Sequence, residues 1–333
     1  MTRVLLRQRP DGLLRSTDVD LVTDAVPTLT EGEALLHNEV IGIDASVRSW
    51  LAEGSGYLPP VELGEVVRCS TIGRVVASRC DAYAEGDIVT TLGGWEEYSV
   101  IRDDFFSTWV SAPDPTYDLE AFLALYGSTG CTAYIGMVEV GAVTSGDTVV
   151  VSAAAGATGA AAAQIAKVHG ARVVGIAGGP QKCRWLTEEI GLDAAIDHRR
   201  GEVAHDLREA AGRVDVFFDN VGGAILDAVL GRLALHARVV LCGHIASYLD
   251  DPNTAAPGPS NYVQLIQQRA TMTGFLAFDD VPRFPEIGEK LRAWHTAGDI
   301  VVRTQRYEGL GSGVDALNAM FTGSNIGKIV IVP

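Results

Sequence analysis

The chain has 333 residues, of which 47% are hydrophobic and 20% are charged, and its formal net charge is −16 at pH 7. This composition is typical of a globular protein long enough for two domains, and it excludes a disordered or fibrous chain. The negative charge repels polyanions and the sequence has no basic patch, so we expect no nucleic-acid partner.

The N-terminal segment and the cysteines indicate the compartment. The first ten residues carry three arginines around a short apolar run and lack the apolar core of a secretory signal, so we expect a cytoplasmic protein. No apolar stretch approaches the roughly 20 residues that a membrane-spanning helix needs, so no membrane partner is expected. The five cysteines are scattered without a Cys-x-x-Cys pair, which favours free thiols.

The first 120 residues alternate short apolar runs with turn formers, a pattern that predicts a compact β-rich domain. The predicted strands cover residues 34–41, 70–78, 87–91 and 97–101. Helical spacing follows Pro113 and Pro115, over residues 119–126 and 132–140.

From residue 148 onward, apolar strands alternate with amphipathic helices, which predicts a parallel, doubly wound sheet of the α/β class. The predicted strands cover residues 148–152, 172–176, 194–197, 214–218, 238–242 and 271–275. Residues 298–307 and 328–333 again have strand character, so we expect the C-terminal segment to return to the first domain.

A turn of small residues, Ser-Ala-Ala-Ala-Gly-Ala-Thr-Gly at 152–159, connects the first of these strands to an alanine-rich helix. Small residues let the backbone approach a diphosphate, whose charge is stabilised by amide groups and by the positive end of the helix. The candidate cofactor contacts in this turn are Ala155, Gly156, Ala157, Thr158 and Gly159. Because Ala154 replaces the first glycine of the usual fingerprint, an ordinary alanine-rich helix start is the alternative.

The next strand indicates which dinucleotide binds. An NAD site normally ends this strand with an acid that binds the ribose 2′-hydroxyl. Here the strand ends in Gly-Ile-Ala-Gly-Gly at 175–179, and the next charged residues are Lys182 and Arg184. Both are expected to bind an adenosine 2′-phosphate, which favours NADPH; the alternative is that they only solvate a helix face.

Several segments together resemble the medium-chain dehydrogenase/reductase superfamily, and within it the zinc-independent branch of leukotriene/prostaglandin, alkenal double-bond and curcumin reductases. They include the turn at 152–156, Asp-Asn-Val-Gly-Gly at 219–223, Cys-Gly at 242–243 and Gly-Ser-Asn-Ile-Gly-Lys at 323–328. The resemblance implies a GroES-like catalytic domain at 1–123, a Rossmann NADPH-binding domain at 124–304 and a return to the catalytic domain at 305–333. It also implies homodimers that use NADPH to reduce the carbon–carbon double bond of α,β-unsaturated ketones or aldehydes.

The resemblance further implies roles for single residues. Lys182 matches the family's lysine for the 2′-phosphate, and His198 replaces a tyrosine near it, with stronger phosphate binding expected when the imidazole is protonated. Tyr248 matches a tyrosine set over the nicotinamide and ribose. The remaining implied cofactor contacts are Gly178, Asn220, Cys242, Gly243, Phe275, Ala277, Asn325 and Thr132, the last for the carboxamide.

The substrate side departs from the family pattern. Ser46 stands where the family has a cleft tyrosine, and Tyr57 is expected to compensate in part. Together with Tyr248, these residues are the candidate substrate contacts. For Tyr57 and Tyr248, simple loop packing is the alternative.

The first domain lacks the Cys/His set and the closely spaced cysteines of zinc-dependent relatives, so no metal is expected. Charge on the substrate oxygen must then be met by hydrogen-bond donors. The hypothesis is that hydride reaches the β-carbon, Tyr248 or the ribose hydroxyl stabilises the enolate, and Tyr248 or water protonates the α-carbon. An NADPH quinone oxidoreductase and a non-catalytic NADPH-binding sensor protein are the alternatives.

Overall fold

The computed structural model describes residues 1–53, 56–111, 117–250 and 258–333. Pro113, Pro115 and residues 251–257 therefore lie outside the described residues. The chain forms two compact units. Unit 1 comprises Met1–Leu123, the segment that begins at Tyr248, and Thr304–Pro333; unit 2 comprises Ala124–Ser247 and the segment that ends at Arg303.

The described strands and helices have the following bounds. The strands are β1 (Thr2–Leu6), β2 (Val19–Thr23), β3 (Glu33–Ile43), β4 (Ser70–Ser78), β5 (Ile88–Thr91), β6 (Tyr98–Arg102), β7 (Ser107–Ser111), β8 (Thr148–Val151), β9 (Arg172–Ala177), β10 (Ala194–Asp197), β11 (Val214–Asp219), β12 (Leu233–Leu241), β13 (Thr271–Gly274), β14 (Thr304–Glu308) and β15 (Lys328–Val332). The α-helices are α1 (Ser46–Trp50), α2 (Leu119–Ala121), α3 (Ser128–Tyr134), α4 (Ala157–Val168), α5 (Pro180–Arg184), α6 (Val203–Ala210), α7 (Gly223–Leu230), α8 (Val263–Gln268), α9 (Phe284–Ala297) and α10 (Gly313–Thr322). Wider π-helical turns cover Phe122–Tyr126, Ile135–Val140 and Trp185–Glu189, and 3₁₀ turns cover Ser16–Asp18, His198–Arg200, Ile245–Ser247, Ala277–Arg283 and Leu310–Ser312.

Unit 1 is rich in β structure, as predicted. Its larger sheet has the strand order β14-β15-β3-β4-β5-β7, with β6 also paired to β3. β15 is antiparallel to β3, where Ile329 lies opposite Ile43, and parallel to β14. Ile329 and Ile331 of β15 are buried in one cluster with Ile41 and Ile43 of β3, so the last strand of the chain contributes to the core of the first unit.

Unit 2 contains the predicted parallel sheet, with the order β10-β9-β8-β11-β12-β13 among the described strands. Val149, Val150 and Val151 of β8 are fully buried, as expected for a central strand covered on both faces. The predicted α/β class, a Rossmann sheet with a β-rich domain, is therefore confirmed. β12 begins at Leu233, earlier than the predicted residue 238. The first part of β12 does not show the regular alternation of apolar and polar residues that predicts a strand. The backbone is irregular there, because His236 has φ 63° and the register with β11 shifts between Leu233 and Arg238.

One helical stretch among the described residues, Leu119–Val140, is long and apolar enough to cross a membrane by length and composition. The expectation that no apolar stretch approaches this length was therefore wrong; Ser128 and Thr129 interrupt the apolar run in the sequence. Most of the stretch is buried inside the protein, which is the position of a core helix.

Candidate functional site

The turn between β8 and α4 is compact enough for only the smallest residues. Gly156 precedes α4 in extended conformation, and Ala153 adopts φ 47°. A Cβ at Gly159 would lie 2.4 Å from the carbonyl oxygen of Ala153. The first amide groups of any helix lack an intrahelical acceptor. The predicted contacts Ala155, Ala157 and Thr158 belong to this turn and helix start, which fits a bound diphosphate.

Asp219, at the end of β11, organises this edge of the sheet and was not predicted as a site residue. Its buried carboxylate accepts hydrogen bonds from Ser152 Oγ at 2.7 Å and from the amides of Val221 and Gly222. Desolvation nevertheless raises the pKa of Asp219. The signal for its role was the Asp-Asn-Val-Gly-Gly segment, in which only Asn220 was assigned.

Three predicted cofactor contacts surround Asp219. Asn220 Nδ2 donates to the carbonyl of Ser152 at 2.7 Å. The amides of Cys242 and Gly243 donate to the carbonyl of Asp219 at 2.8 and 3.1 Å. The ends of β8, β11 and β12 are thus joined by hydrogen bonds, at the carboxyl edge where ligands of open parallel sheets bind.

A cluster of basic side chains lies past the end of β9. Lys182 on α5 and His198 after β10 are brought together there, and they are joined by Arg199, which was not predicted. A Cβ at Gly178 would lie 2.8 Å from His198 Nε2 and 3.0 Å from Arg199 Nε. Burial and the charge of Arg199 lower the pKa of Lys182 to about 8. Burial, and then Arg199, also lower the pKa of His198.

Arg184 is placed elsewhere. It follows Lys182 by two residues, about 200° around an α-helix. It is exposed and lines a cavity of about 590 Å³ with Cys183, Arg200 and Asp206. The two cations predicted to bind one phosphate therefore lie on different faces of α5.

The other predicted cofactor residues of unit 2 occupy the segments around α3 and β13. Thr132 Oγ1 donates to the carbonyl of Ser128 in its own helix at 2.8 Å. Phe275 follows β13, and its ring leaves no room for a Cβ at Gly136, which would lie 2.6 Å from Phe275 Cζ. Ala277 is buried at the start of a 3₁₀ turn.

In unit 1, hydroxyl groups predicted to bind substrate lie together. The Tyr57 hydroxyl is hydrogen-bonded to the Ser46 side chain, and Tyr248 is close enough to interact with it electrostatically. The Tyr57 ring packs edge-on against Trp50, with ring centroids 6.2 Å apart. Desolvation of the hydroxyl, together with Tyr248 and Asp44, raises the pKa of Tyr57 to about 12, although the residue as a whole is 47% exposed. Tyr57 therefore stays protonated at neutral pH.

A buried ion pair adjoins this hydroxyl cluster. Lys328 Nζ lies 2.6 Å from Asp44 Oδ1. Asp44 is two residues before Ser46, and Lys328 begins β15. Asn325, the predicted cofactor contact from the same motif, is buried, and its Nδ2 lies 3.4 Å from the carbonyl of Gly327.

Two protein-family models match this chain, one in each unit. One family model, described as the N-terminal domain of oxidoreductase, matches residues 2–108, and another, described as zinc-binding dehydrogenase, matches residues 157–292. In the ranges that the structure describes, no group of three or more His, Cys, Asp or Glu residues could hold a metal ion.

The chain resembles characterised reductases over nearly its full length. It is 34% identical to the NADPH-dependent curcumin reductase of Escherichia coli, covering 99% of this chain and 96% of that one. It is 32% identical to the NADP(+)-dependent 2-alkenal reductase of Nicotiana tabacum, with the same coverage. The structure of CurA from Vibrio vulnificus in complex with NADPH superposes with a TM-score of 0.93 at 32% identity, covering 100% of this chain and 99% of that one.

The fold, the turn at 152–159 and these relatives define the class: the chain belongs to the medium-chain dehydrogenase/reductase superfamily, as its motifs predicted. Within the superfamily, it is an oxidoreductase of the branch that contains the curcumin, 2-alkenal and prostaglandin reductases.

Proposed function

We propose that this protein reduces the carbon–carbon double bond of α,β-unsaturated ketones or aldehydes. The observation that carries the proposal is the hydroxyl cluster of unit 1, in which Tyr57 is hydrogen-bonded to Ser46 and interacts electrostatically with Tyr248. Hydroxyl donors of this kind stabilise an oxygen that gains negative charge in a transition state. The names of the relatives, which include a curcumin reductase and a 2-alkenal reductase, support the same substrate class.

The cofactor is NADPH, and the residues present fit it. Because Gly159 has no Cβ, α4 can start close to the Ala153 carbonyl, and the small residues of this turn let a diphosphate approach the backbone. Lys182 supplies positive charge past β9, where NAD-binding proteins carry an acid, and the His198 imidazole lies beside it as a hydrogen-bonding group. These side chains would hold the 2′-phosphate, and the first turn of α4 would hold the diphosphate.

NADPH supplies the hydride that reduces the β-carbon. As the double bond is reduced, the carbonyl oxygen becomes an enolate, and the hydroxyls of Tyr57 and Tyr248 stabilise its charge by hydrogen bonds. With a pKa of about 12, Tyr57 acts as a donor and not as a base. A proton from Tyr248 or from water completes the reaction at the α-carbon.

Product analysis tests this proposal. With trans-3-nonen-2-one and NADPH deuterated at the transferred position, we expect the saturated ketone with deuterium at the β-carbon. Deuterium on the carbonyl carbon, as in an allylic alcohol, would exclude double-bond reduction. Turnover of 1,4-benzoquinone without turnover of enones or enals would instead favour a quinone oxidoreductase. Tight NADPH binding with no oxidation by any of these compounds would favour a sensor protein.

We also propose that the protein forms a homodimer through the β13 edge of the parallel sheet. β13 ends the strand order of this sheet. Leu235 of β12, Tyr262 just before α8 and Ile266 of α8 are exposed large apolar side chains, and α8 packs against β12. Exposed apolar groups beside a sheet edge are typical of an association surface.

Light scattering during size-exclusion chromatography tests the dimer. We expect Ile266→Asp to shift the protein from dimer to monomer at micromolar concentration. Leu21→Asp, at an exposed apolar position of unit 1, is the matched control and should leave the mass unchanged. A monomeric wild-type protein, or equal behaviour of both variants, would refute this interface.

A further inference from the structure

We propose that Arg199 is a specificity-determining residue for the 2′-phosphate of the cofactor, acting with Lys182 and His198. The inference deepens the proposed function and rests on the NADPH site described above. It assigns to Arg199 the phosphate contact that the sequence pattern suggested for Arg184.

Arg199 lies at the end of β9. The guanidinium group of Arg199 covers the end of β9, because a Cβ at Gly178 would lie 3.0 Å from its Nε and one at Gly179 would lie 3.7 Å from its Nη1. The acid that binds the ribose 2′-hydroxyl in NAD enzymes stands at this strand end. Arg199 therefore places a cation where an NAD enzyme has an anion.

The backbone of Arg199 is held in place by Asp197. Asp197 Oδ1 accepts hydrogen bonds from the amide of Gly179 at 2.7 Å and from the amide of Arg199 at 3.0 Å. One carboxylate thus ties the turn after β9 to the turn after β10. Desolvation alone would raise the pKa of Asp197, but these bonds and the charges of His198 and Arg199 lower it overall, so the tie persists at neutral pH.

The charged groups around Arg199 favour a bound anion. Lys182 of α5 faces Arg199, His198 faces Lys182 and Arg199, and Asp197 is the anion that faces His198 and Arg199. Lys182 and Arg199 repel each other in the free protein, and burial together with both charges lowers the pKa of His198, which disfavours its protonation. A dianionic phosphate bound among them relieves this repulsion and forms charge-assisted hydrogen bonds, for which a guanidinium is well suited.

The neighbouring arginine has a different environment and provides the matched control. Arg200 lines the cavity that contains Arg184, and its Nη2 lies 3.6 Å from Glu202 Oε2. It has the same charge as Arg199 and the adjacent position in the same short turn. Replacing it tests whether any arginine in this turn affects cofactor affinity.

Calorimetric titration with NADP⁺ and NAD⁺ tests the proposal without reference to activity. We expect Arg199→Ala to weaken NADP⁺ binding at least about tenfold, or about 1.4 kcal/mol, and NAD⁺ binding less than about twofold. Arg200→Ala should change both affinities less than about twofold, and Arg199→Lys should retain part of the preference. An unchanged NADP⁺ affinity in Arg199→Ala, or an equal loss for both dinucleotides, would overturn the proposal.

Two further measurements separate a wrong role for Arg199 from a wrong assignment of the phosphate site. If Lys182→Ala loses NADP⁺ affinity and Arg199→Ala does not, only the role of Arg199 is refuted. If wild type binds NAD⁺ as tightly as NADP⁺ and fails to bind adenosine 2′,5′-bisphosphate, the phosphate site itself is refuted.

Proton uptake tests a premise of the proposal, namely that the charge of Arg199 acts on Lys182. Lys182 has a pKa of about 8, so at pH 8 it is partly deprotonated, and a bound phosphate should draw a proton onto it. Titrations in MOPS and in Tris, which differ in ionisation enthalpy, measure this uptake. Removing Arg199 raises the pKa of Lys182 in the free protein, so Arg199→Ala should take up less proton than wild type; equal uptake would count against the proposal.

Discussion

Lys328 Nζ donates to Asp44 Oδ1 at 2.6 Å, and the lysine side chain is only 1% exposed whereas that of Asp44 is 29% exposed. The pair joins the start of β15 to the segment that leads into α1 and Ser46. Residues more than 280 positions apart therefore fix the backbone beside the candidate substrate hydroxyls.

Removing one partner of this pair should destabilise the protein. We expect Lys328→Met to lower the free energy of unfolding by about 3 kcal/mol, the low end for a broken buried pair because Asp44 is partly exposed. Urea denaturation measures the loss. Arg79→Met, which breaks the exposed pair with Glu31, should cost less than about 1 kcal/mol. Equal losses in the two variants would contradict a special role for the buried pair.

Gly159→Ala should weaken cofactor binding and reduce stability. The added Cβ would meet the Ala153 carbonyl at 2.4 Å, and overpacking of this kind costs about 1–3 kcal/mol. We expect the Kd for NADPH, measured by fluorescence titration, to rise at least about tenfold, equivalent to about 1.4 kcal/mol. Gly311→Ala, where an added Cβ meets no atom within 4 Å, is the control. NADPH affinity that is unchanged in Gly159→Ala would argue against the turn as the diphosphate site.

Tyr57→Phe removes one hydroxyl donor and keeps the ring that packs on Trp50. We expect kcat/KM for an enone to fall at least about tenfold, within the range found for loss of one oxyanion donor. The Kd for NADPH should stay within about twofold. Tyr98→Phe, at a position in β6 that packs against His37, should retain wild-type kinetics. A fall in NADPH affinity without a fall in kcat would place Tyr57 outside the substrate site.

NADP⁺ affinity should decrease as the pH rises through about 8. The pKa of Lys182 in the free protein is about 8, and the phosphate binds its protonated form. From pH 7 to pH 9 the protonated fraction falls about tenfold, so the Kd for NADP⁺ should rise by up to that factor. The Kd for NAD⁺ should change little over the same range. Lys182→Met should flatten the NADP⁺ profile, and a profile equally steep in this variant would assign the titration to another group.

Local patterns in the sequence predicted much of this protein. The strand–turn–helix at 148–168 is encoded by neighbouring residues, because buried valines, small turn residues and alanines each favour one local conformation. The lack of an acid at the end of β9 and the position of Lys182 are visible in the sequence for the same reason. The superfamily and α/β class predicted from these patterns were confirmed by the relatives and by the parallel sheet.

Only the tertiary structure decided which side chains meet. The helical twist separates Arg184 from Lys182, while the return of the chain through β10 brings Arg199 to the end of β9. Asp219 reaches Ser152 only because β8 and β11 lie side by side. Lys328 reaches Asp44 only because β15 pairs with β3. Such contacts depend on strand order and on the direction of each side chain, and these are set by packing across the whole sheet, which no short stretch of sequence contains.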